Sequence, residues 1–327
     1  MTYKHLYGED ANHDLTSDEF KALVKQTPYD VLLAGFPCQT FSNMGKKLGF
    51  QDKTKGTIFF HIAEIIASSR PKAVFLENVD HLLRHDKGNT FRTIIDVLEN
   101  ELDYQAVGVS RNLLGELTYS ANDFIRNSRA FGVPQNRPRA YIIAFDRKTF
   151  GHNPDLETAK LPEKRDLGKY RDLHDVIELG ADPSFYLSEG YWQTLIRHRA
   201  RQKSNGNNYG YRIVNSPDIE KPIANTILAT GGSGRERNLI IDKQDHVPGM
   251  MVGQKKSPLN NDCVRFMTPT EWGKLQGFIN YAFIDDTGID HFSFPAGVSK
   301  VQQYKQFGNS VTIPVIQSMA EFMTLYL

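Results

Sequence analysis

Strand-like and helix-like segments alternate through the first half of the chain. Continuous apolar runs predict strands at residues 31–34, 72–76, 104–109 and 140–145. The first of these runs is typical of a strand buried on both faces. Apolar positions at helical spacing predict helices over residues 57–69 and 90–102. This alternation predicts an α/β fold with a doubly wound sheet, in which the ends of parallel strands meet at one edge.

The pattern becomes irregular near residue 150. Residues 203–261 show no clear period and are rich in Gly, Asn, Pro and charge, which is typical of loops. Helical patterns are found at residues 188–201, 268–277 and 311–325. The sequence therefore predicts a larger domain of residues 1–160 plus 298–327 and a smaller, loop-rich domain of residues 161–297.

Composition indicates the cellular compartment in which the protein is expected. The chain has 327 residues, a net charge of +1 and 2 cysteines, Cys38 and Cys263, which are too few for a disulfide framework. A reducing, cytoplasmic setting is therefore expected. No apolar run has the length of a membrane span, and no signal peptide is found, so no membrane association is expected. No His or Cys spacing matches a metal site, and no bound metal is expected.

The charged residues are unevenly distributed. A local basic cluster comprises Arg197, His198, Arg199, Arg201 and Lys203. Such a cluster is either a solvated helix face or a phosphate-binding surface.

Two candidate catalytic residues follow the first two predicted strands. Cys38 comes after Gly35 and Pro37, which end regular structure, and it is either a reactive thiol or a small apolar side chain. Glu77 follows the second strand, where a carboxylate is paired in a salt bridge, caps a helix, or takes part in chemistry. If the two strands are parallel, both side chains can face one crevice.

Two further polar stretches are candidates for ligand binding. Arg137 and Arg139 fall on the same side of an extended chain, where two guanidinium groups repel unless they meet anions. The pair therefore either recognises a phosphate or carboxylate or forms an exposed basic entry to the strand. Gly308, Asn309 and Ser310 precede an apolar helix, and this predicts a Gly turn with a helix N-terminus that binds a polar or anionic group or is simply capped.

Several motifs, taken in order, resemble those of the cytosine-5 DNA methyltransferase family. They are Gly35-Phe36-Pro37-Cys38-Gln39-Thr40-Phe41-Ser42, Gly56-Thr57-Ile58-Phe59-Phe60, Leu76-Glu77-Asn78-Val79, Phe131-Gly132-Val133-Pro134-Gln135-Asn136-Arg137-Pro138-Arg139, Arg265-Phe266-Met267-Thr268-Pro269 with Leu275-Gln276-Gly277-Phe278, and Tyr304-Lys305-Gln306-Phe307-Gly308-Asn309-Ser310-Val311. The match covers almost the whole chain. It implies a Rossmann-like methyltransferase sheet with a loop-rich target-recognition domain, and a bacterial restriction-modification enzyme.

The resemblance implies a role for each motif residue. Cys38 would add to C6 of cytosine, Glu77 would act at N3, and Arg139 would hold the base with support from Arg137. The other substrate-binding residues would be Pro37, Gln39, Ser42 and Asn78. S-adenosylmethionine would be the methyl donor and double-stranded DNA the substrate, with the target base flipped out. The basic cluster near Arg199 would lie on DNA phosphates.

The resemblance is incomplete at the N-terminus. The family opens with a strand and a Gly-rich turn that bind S-adenosylmethionine, and this sequence contains neither. A truncated reading frame, a second polypeptide that supplies these motifs, or a shortened sequence would each account for the difference. The remaining cofactor-binding residues would be Asp10 or Asp14, Pro37, Asn309 and Ser310.

Two other functions remain open. A non-catalytic or partner-dependent DNA-binding subunit, or a remnant of such an enzyme, would explain the missing Gly-rich turn. An RNA cytosine methyltransferase could use the same fold, although the long variable stretch favours DNA. The spacing of residues does not give the target sequence, because recognition from loops depends on which side chains reach the base edges.

Overall fold

The structure, a computed structural model, describes residues 1–38, 58–230 and 234–327. The chain divides into two compact units. The sheet unit comprises Ala11–Asn127, Pro138–Glu163 and Gln317–Leu327, and the loop-rich unit comprises Met1–Asp10, Ser128–Arg137 and Lys164–Ile316. These units group residues by packing, so the division into a catalytic and a target-recognition domain stays a prediction.

Short strands and helices alternate along the described chain. The strands are β1 (Val31–Gly35), β2 (Ala73–Val79), β3 (Tyr104–Ala106), β4 (Ser110–Arg111), β5 (Leu117–Thr118), β6 (Ile125–Asn127), β7 (Gln135–Asn136), β8 (Pro138–Asp146), β9 (Ala224–Asn225), β10 (Leu239–Ile241) and β11 (Val264–Phe266). The α-helices are α1 (Thr2–Tyr7), α2 (Asp18–Gln26), α3 (Ile58–Ser69), α4 (Asn89–Asp96), α5 (Arg147–Phe150), α6 (Pro154–Thr158), α7 (Glu189–Ser204), α8 (Pro269–Gln276), α9 (Lys300–Asn309) and α10 (Ile313–Met323). Among the described residues, no helix combines the length and the hydropathy that crossing a membrane requires.

A mixed sheet with the strand order β1-β2-β8-β3 forms the centre of the sheet unit, and β6 also pairs with β8. β1 and β2 are parallel, whereas β8 is antiparallel to both β2 and β3. The α/β fold is confirmed, but β8 departs from a parallel pattern. Its direction follows from the connection, because the chain enters β8 from short turns rather than from a crossover helix.

The prediction that residues 31–34 form a strand buried on both faces is wrong. Leu32 and Ala34 pack against the core of the sheet unit, but Leu33 points to the other face and is 63% exposed. A run of apolar residues allows burial of both faces of a strand. Whether both faces are in fact buried depends on which distant segments pack against the strand.

Helices α3 and α4 pack their apolar faces into the core of the sheet unit. From α3 come Phe59, Phe60, Ile62, Ala63 and Ile66, and from α4 come Phe91, Ile94 and Ile95. The helices predicted over residues 57–69 and 90–102 are thus confirmed, although α4 ends at Asp96 and continues as a π-helical turn. In the loop-rich unit, α8 opens with a capping box between Thr268 and Glu271, as its Thr-Pro start suggests.

The predicted Gly turn at residues 308–310 is wrong. Gly308 and Asn309 form the last residues of α9, and Ser310 is its C-cap. A Cβ on Gly308 would lie 2.4 Å from both the amide nitrogen of Ala229 and the carbonyl carbon of Leu228. Glycine is required here because another segment of backbone packs directly against the helix.

Gly308→Ala is expected to lower the free energy of unfolding by about 1–3 kcal/mol, because the added methyl group must displace backbone atoms. The matched control is Asn309→Ala, at the exposed neighbouring position, which should change it by less than about 0.5 kcal/mol. Urea denaturation of both variants measures the difference. Equal effects at the two positions would contradict the close approach at Gly308.

Candidate active site

Cys38 lies just beyond the end of β1, at a position fixed by Asn78. The thiol is partly buried, and Phe36 packs against Phe59 with 5.7 Å between ring centroids. Asn78 Nδ2 donates to the carbonyl oxygen of Phe36 at 2.8 Å, and its Oδ1 accepts from the amide of Val79 at 2.8 Å. Asn78 is buried on β2, so these contacts hold the backbone that leads to Cys38.

Glu77 lies within β2, opposite Gly35 of β1, and not after the strand end as predicted. A Cβ on Gly35 would be 3.3 Å from Oε2 of Glu77, so the carboxylate lies beside the backbone that precedes Cys38. Its Oε1 is 3.2 Å from Nε of Arg139, and the two side chains are only 18% and 11% exposed. A largely buried carboxylate is thus held by a neighbouring guanidinium.

The environment of Cys38 disfavours its charged form. Burial raises the pKa of the Cys38 thiol above its ordinary value of 9.0. In the absence of ligand the residue is therefore mostly a neutral thiol at neutral pH, and it becomes a strong nucleophile only when its proton is removed.

Alkylation of Cys38 by iodoacetamide should accelerate with pH, with a midpoint above 9.0, because only the thiolate reacts. Mass spectrometry of the modified peptide measures the rate. Cys38→Ser gives the background from Cys263, which is buried. A midpoint below 9.0 would show that the thiolate is stabilised rather than destabilised in the free protein.

Arg137 and Arg139 have different partners in the structure, and recognition of an anionic ligand by the pair stays a prediction. Arg139 pairs with Glu77 in the sheet unit. In the loop-rich unit, Arg137 Nη1 donates to the carbonyl of Ile227 at 2.8 Å, and Nη2 donates to the carbonyls of Gly308 at 3.2 Å and Ser310 at 2.7 Å. A cation at these carbonyls complements the negative end of the α9 dipole, so Arg137 binds α9 to the Ile227 segment.

Sequence reasoning gave no role to Gln135 and Gln276, yet both hold this region together. Gln135 Nε2 donates to the carbonyl of Leu275 at 3.1 Å, and its Oε1 accepts from the amide of Ile227 at 3.1 Å. Gln276 Nε2 donates to the carbonyl of Phe307 at 2.8 Å. Both glutamines are fully buried. Both glutamines belong to motifs that match the family, and this was the one sign in the sequence that they have a role. Amide side chains are also common in exposed loops, so their burial could not be predicted.

The remaining predicted site residues are distributed over both units. Pro37 and Asp14 are exposed in the sheet unit, and Asp10 and Asn309 are exposed in the loop-rich unit. Asp14 Oδ1 accepts from the amide and the hydroxyl of Thr16, which lowers the pKa of Asp14. Gln39 and Ser42 lie outside the described residues.

Comparison with known proteins identifies one family of DNA methyltransferases. The family of C-5 cytosine-specific DNA methylases matches residues 1–324. The type II methyltransferase M.HpaII of Haemophilus parainfluenzae is 41% identical over 320 residues, which cover 97% of this chain and 77% of the relative. The type II methyltransferase M1.ScrFI of Lactococcus lactis subsp. cremoris is 36% identical over 323 residues, covering 98% of this chain and 68% of the relative.

Solved structures agree on the fold. The Entamoeba histolytica methyltransferase EhMeth superposes with a TM-score of 0.59 at 17% identity, over 98% of this chain and 85% of that chain. The S. pombe Dnmt2 methyltransferase gives a TM-score of 0.59 at 16% identity, over 99% and 87%. These neighbours confirm the Rossmann-like methyltransferase fold. Cys38 follows β1, and Glu77 and Asn78 lie on the adjacent parallel strand β2. With this arrangement and a match along almost its whole length, the chain belongs to the C-5 cytosine-specific DNA methylases, which methylate cytosine in DNA.

Proposed function

We propose that this enzyme methylates C5 of a flipped-out cytosine in double-stranded DNA, with Cys38 as nucleophile and S-adenosylmethionine as methyl donor. The observation that carries the proposal is the position of the Glu77 carboxylate beside Gly35, on the strand exit that leads to Cys38. A nucleophile just after one strand and a carboxyl group on the adjacent parallel strand can act on one base.

Cys38 adds as a thiolate to C6, forming an S–C6 bond and making C5 an enamine-like carbon. Glu77 supplies a hydrogen bond or a proton at N3, where the added electron density collects. Arg139, which already pairs with Glu77, orients that carboxyl group and holds the carbonyl oxygen of the base. Pro37, Gln39, Ser42 and Asn78 are the further residues proposed to bind the substrate.

The thiolate leaves at the end of the reaction. After C5 has accepted the methyl group, a base removes the C5 proton, the S–C6 bond breaks and 5-methylcytosine is released. Because these atoms are inaccessible in a stacked duplex, the target base must leave the helix. Cys38 thus returns to its starting state with no net change.

The chain offers polar groups that fit the cofactor. Asp14 is exposed and its lowered pKa keeps it ionised. Asn309, the last residue of α9, carries an amide, and the C-cap Ser310 carries a hydroxyl. With Pro37, and with Asp10 as the alternative acidic residue, these groups would hold S-adenosylmethionine through its amino and hydroxyl groups. When bound, the cofactor supplies a methyl group activated by its sulfonium centre.

The names of the relatives suggest a setting. The relatives named as type II methyltransferases indicate a restriction-modification enzyme. The cytoplasmic location inferred from cysteine content stays a prediction. The comparisons give no support to a second polypeptide that supplies the Gly-rich turn.

Incubation with S-adenosylmethionine carrying a deuterated methyl group and with duplex DNA tests the proposal. Mass spectrometry of the digested DNA should show deuterated 5-methylcytosine. DNA binding without either cofactor binding or methyl transfer would favour the non-catalytic alternative, whereas tight cofactor binding would contradict it. Transfer to RNA in preference to DNA would favour the RNA methyltransferase alternative.

A further inference from the structure

Two adjoining depressions in the loop-rich unit have walls without a carboxylate. The first, of about 340 Å³, is lined by residues that include Asn208, Tyr209, Arg212, Asn225, Thr226 and Arg237. The second, of about 360 Å³, is lined by residues that include Arg199, Lys203, Asn207, Asn208 and Tyr209. Because Asn208 and Tyr209 line both, the depressions form one surface, which we call the cationic cleft.

The cations of the cleft are not neutralised within the protein. Among the described residues, Arg199, Lys203, Arg212 and Arg237 form no salt bridge, whereas Arg265 of the same unit pairs with two carboxylates. Like charges gathered on one surface repel unless an anion reaches them. The ligand that fits the cleft is therefore anionic, and aromatic rings beside the cations also suit a nucleic acid.

Aromatic rings set the positions of two of these guanidinium groups. Arg199 lies over the ring of Tyr211 at 4.7 Å from its centroid, and Arg237 lies over the ring of Tyr209 at 5.7 Å. Such stacking uses the flat face of the guanidinium group and leaves its in-plane N–H donors for a ligand. In the part of the chain that the structure describes, the Arg237 side chain donates no hydrogen bond.

The backbone at Arg237 is held rigidly. Asn225 Nδ2 donates to the carbonyl of Arg237 at 2.7 Å, and the Asn225 amide donates to Oδ1 of Asn238 at 2.7 Å. Asn238 Nδ2 returns a hydrogen bond to the carbonyl of Asn225 at 3.2 Å, and Asn238 is buried. These hydrogen bonds fix the backbone from which the Arg237 side chain extends, and the Tyr209 ring lies against the guanidinium group. A contact with a base edge needs such a positioned donor group, whereas a phosphate contact needs only charge.

We propose that the cationic cleft reads one base of the target site. Arg237 donates two hydrogen bonds to O6 and N7 of a guanine in the major groove, the pairing that best suits a planar fork of donors. Arg199 and Lys203 lie on neighbouring phosphates, and Asn225 acts as a positioning residue for Arg237. This inference rests on the proposed function, because it assumes that DNA is the substrate.

Selection of bound duplexes from a randomised DNA library tests the proposal with the full chain. The unmodified protein should enrich a motif that contains a fixed guanine. Arg237→Ala should lose preference for that guanine by about 5- to 150-fold while the other positions persist. Arg237→Lys keeps the charge but not the fork, so it should lose the same preference while retaining most of the overall affinity.

Arg201→Ala is the matched control, because Arg201 is exposed on α7 and lines neither depression. It should keep the whole motif. Unfolding temperatures equal to that of the unmodified protein would show that the variants are folded.

Three results would overturn the proposal: no enriched motif with the unmodified protein, an unchanged motif with Arg237→Ala, or a uniform loss of affinity across all sequences. The last would assign Arg237 to a phosphate. Selection measures binding without methyl transfer, so a negative result here is distinct from a failure to form 5-methylcytosine.

Discussion

Cys38→Ala protein is expected to form no covalent complex with duplex DNA that carries 5-fluorocytosine at the target position, whereas the unmodified protein should be trapped. S-adenosylmethionine is included, because fluorine blocks the reaction only after C5 has accepted the methyl group. Fluorine at C5 cannot then leave as a proton does, so the S–C6 bond persists and the complex survives denaturing electrophoresis. Methyl transfer to ordinary DNA should fall by at least about 10⁴-fold, because the reaction loses its nucleophile.

Two further variants make this result specific. Cys263→Ser keeps Cys38 and should still be trapped, since Cys263 is the buried second cysteine. Glu77→Gln keeps a polar group of the same shape but cannot donate a proton, so it should be trapped about 10²- to 10⁴-fold more slowly. Trapping of Cys38→Ala at the normal rate would assign the nucleophile to another residue.

Arg265→Met should lower the free energy of unfolding by about 3–5 kcal/mol, because it leaves two buried carboxylates without their cation. Arg265 is completely buried, and its Nε donates to Asp242 at 2.8 Å and its Nη2 to Glu271 at 2.9 Å. Its side chain also donates to the carbonyls of Phe266 and Glu178. Urea denaturation followed by circular dichroism measures the loss.

Arg171→Met is the matched control, since Arg171 pairs with Asp175 while its side chain is 87% exposed. It should leave the free energy of unfolding nearly unchanged, because water and salt screen an exposed ion pair. Similar losses in the two variants would show that burial of the Arg265 pairs does not matter.

The effect of Arg265→Met should also depend on pH. Burial raises the pKa of Asp242, but the hydrogen bond and charge of Arg265 outweigh it and leave that pKa below its ordinary 3.8. In the unmodified protein, Asp242 therefore contributes stability that is complete above pH 3.8 and is lost as the pH falls through the lowered value. In the variant the hydrogen bonds of Tyr186 and Gly180 to Asp242 remain, but the hydrogen bond and charge of Arg265 are lost, so the pKa of Asp242 is higher than in the unmodified protein. Protonation then relieves the unpaired charge, and the difference in stability between the two proteins should shrink towards acid pH.

The position of Cys38 after one strand and of Glu77 near its neighbour could be predicted from sequence, because both follow from local pattern. An apolar run that stops at Gly and Pro places Cys38, and a second run beside it places Glu77 on the neighbouring strand. The sequence could not show that Glu77 continues β2, since a charged residue in a strand depends on a partner such as Arg139, far along the chain.

The partners of Arg137 could not be predicted because they are long-range. They are backbone carbonyls of Ile227, Gly308 and Ser310, which carry no side-chain signal. The C-terminal end of α9, where the sequence predicts a turn, could not be predicted for a related reason. Glycine normally weakens a helix, and only the backbone packed against Gly308 explains why it is tolerated there.

The close approach at Gly308 also bears on how target specificity could be exchanged. Leu228 and Ala229 lie against Gly308, and Asn238 is tied to Asn225. The residues on either side of the stretch that carries Arg237, Ala229 and Asn238, are therefore both held by contacts with other segments. A segment from a relative with a different target could be grafted between Ala229 and Asn238 as a cassette, without rebuilding the helix beneath it.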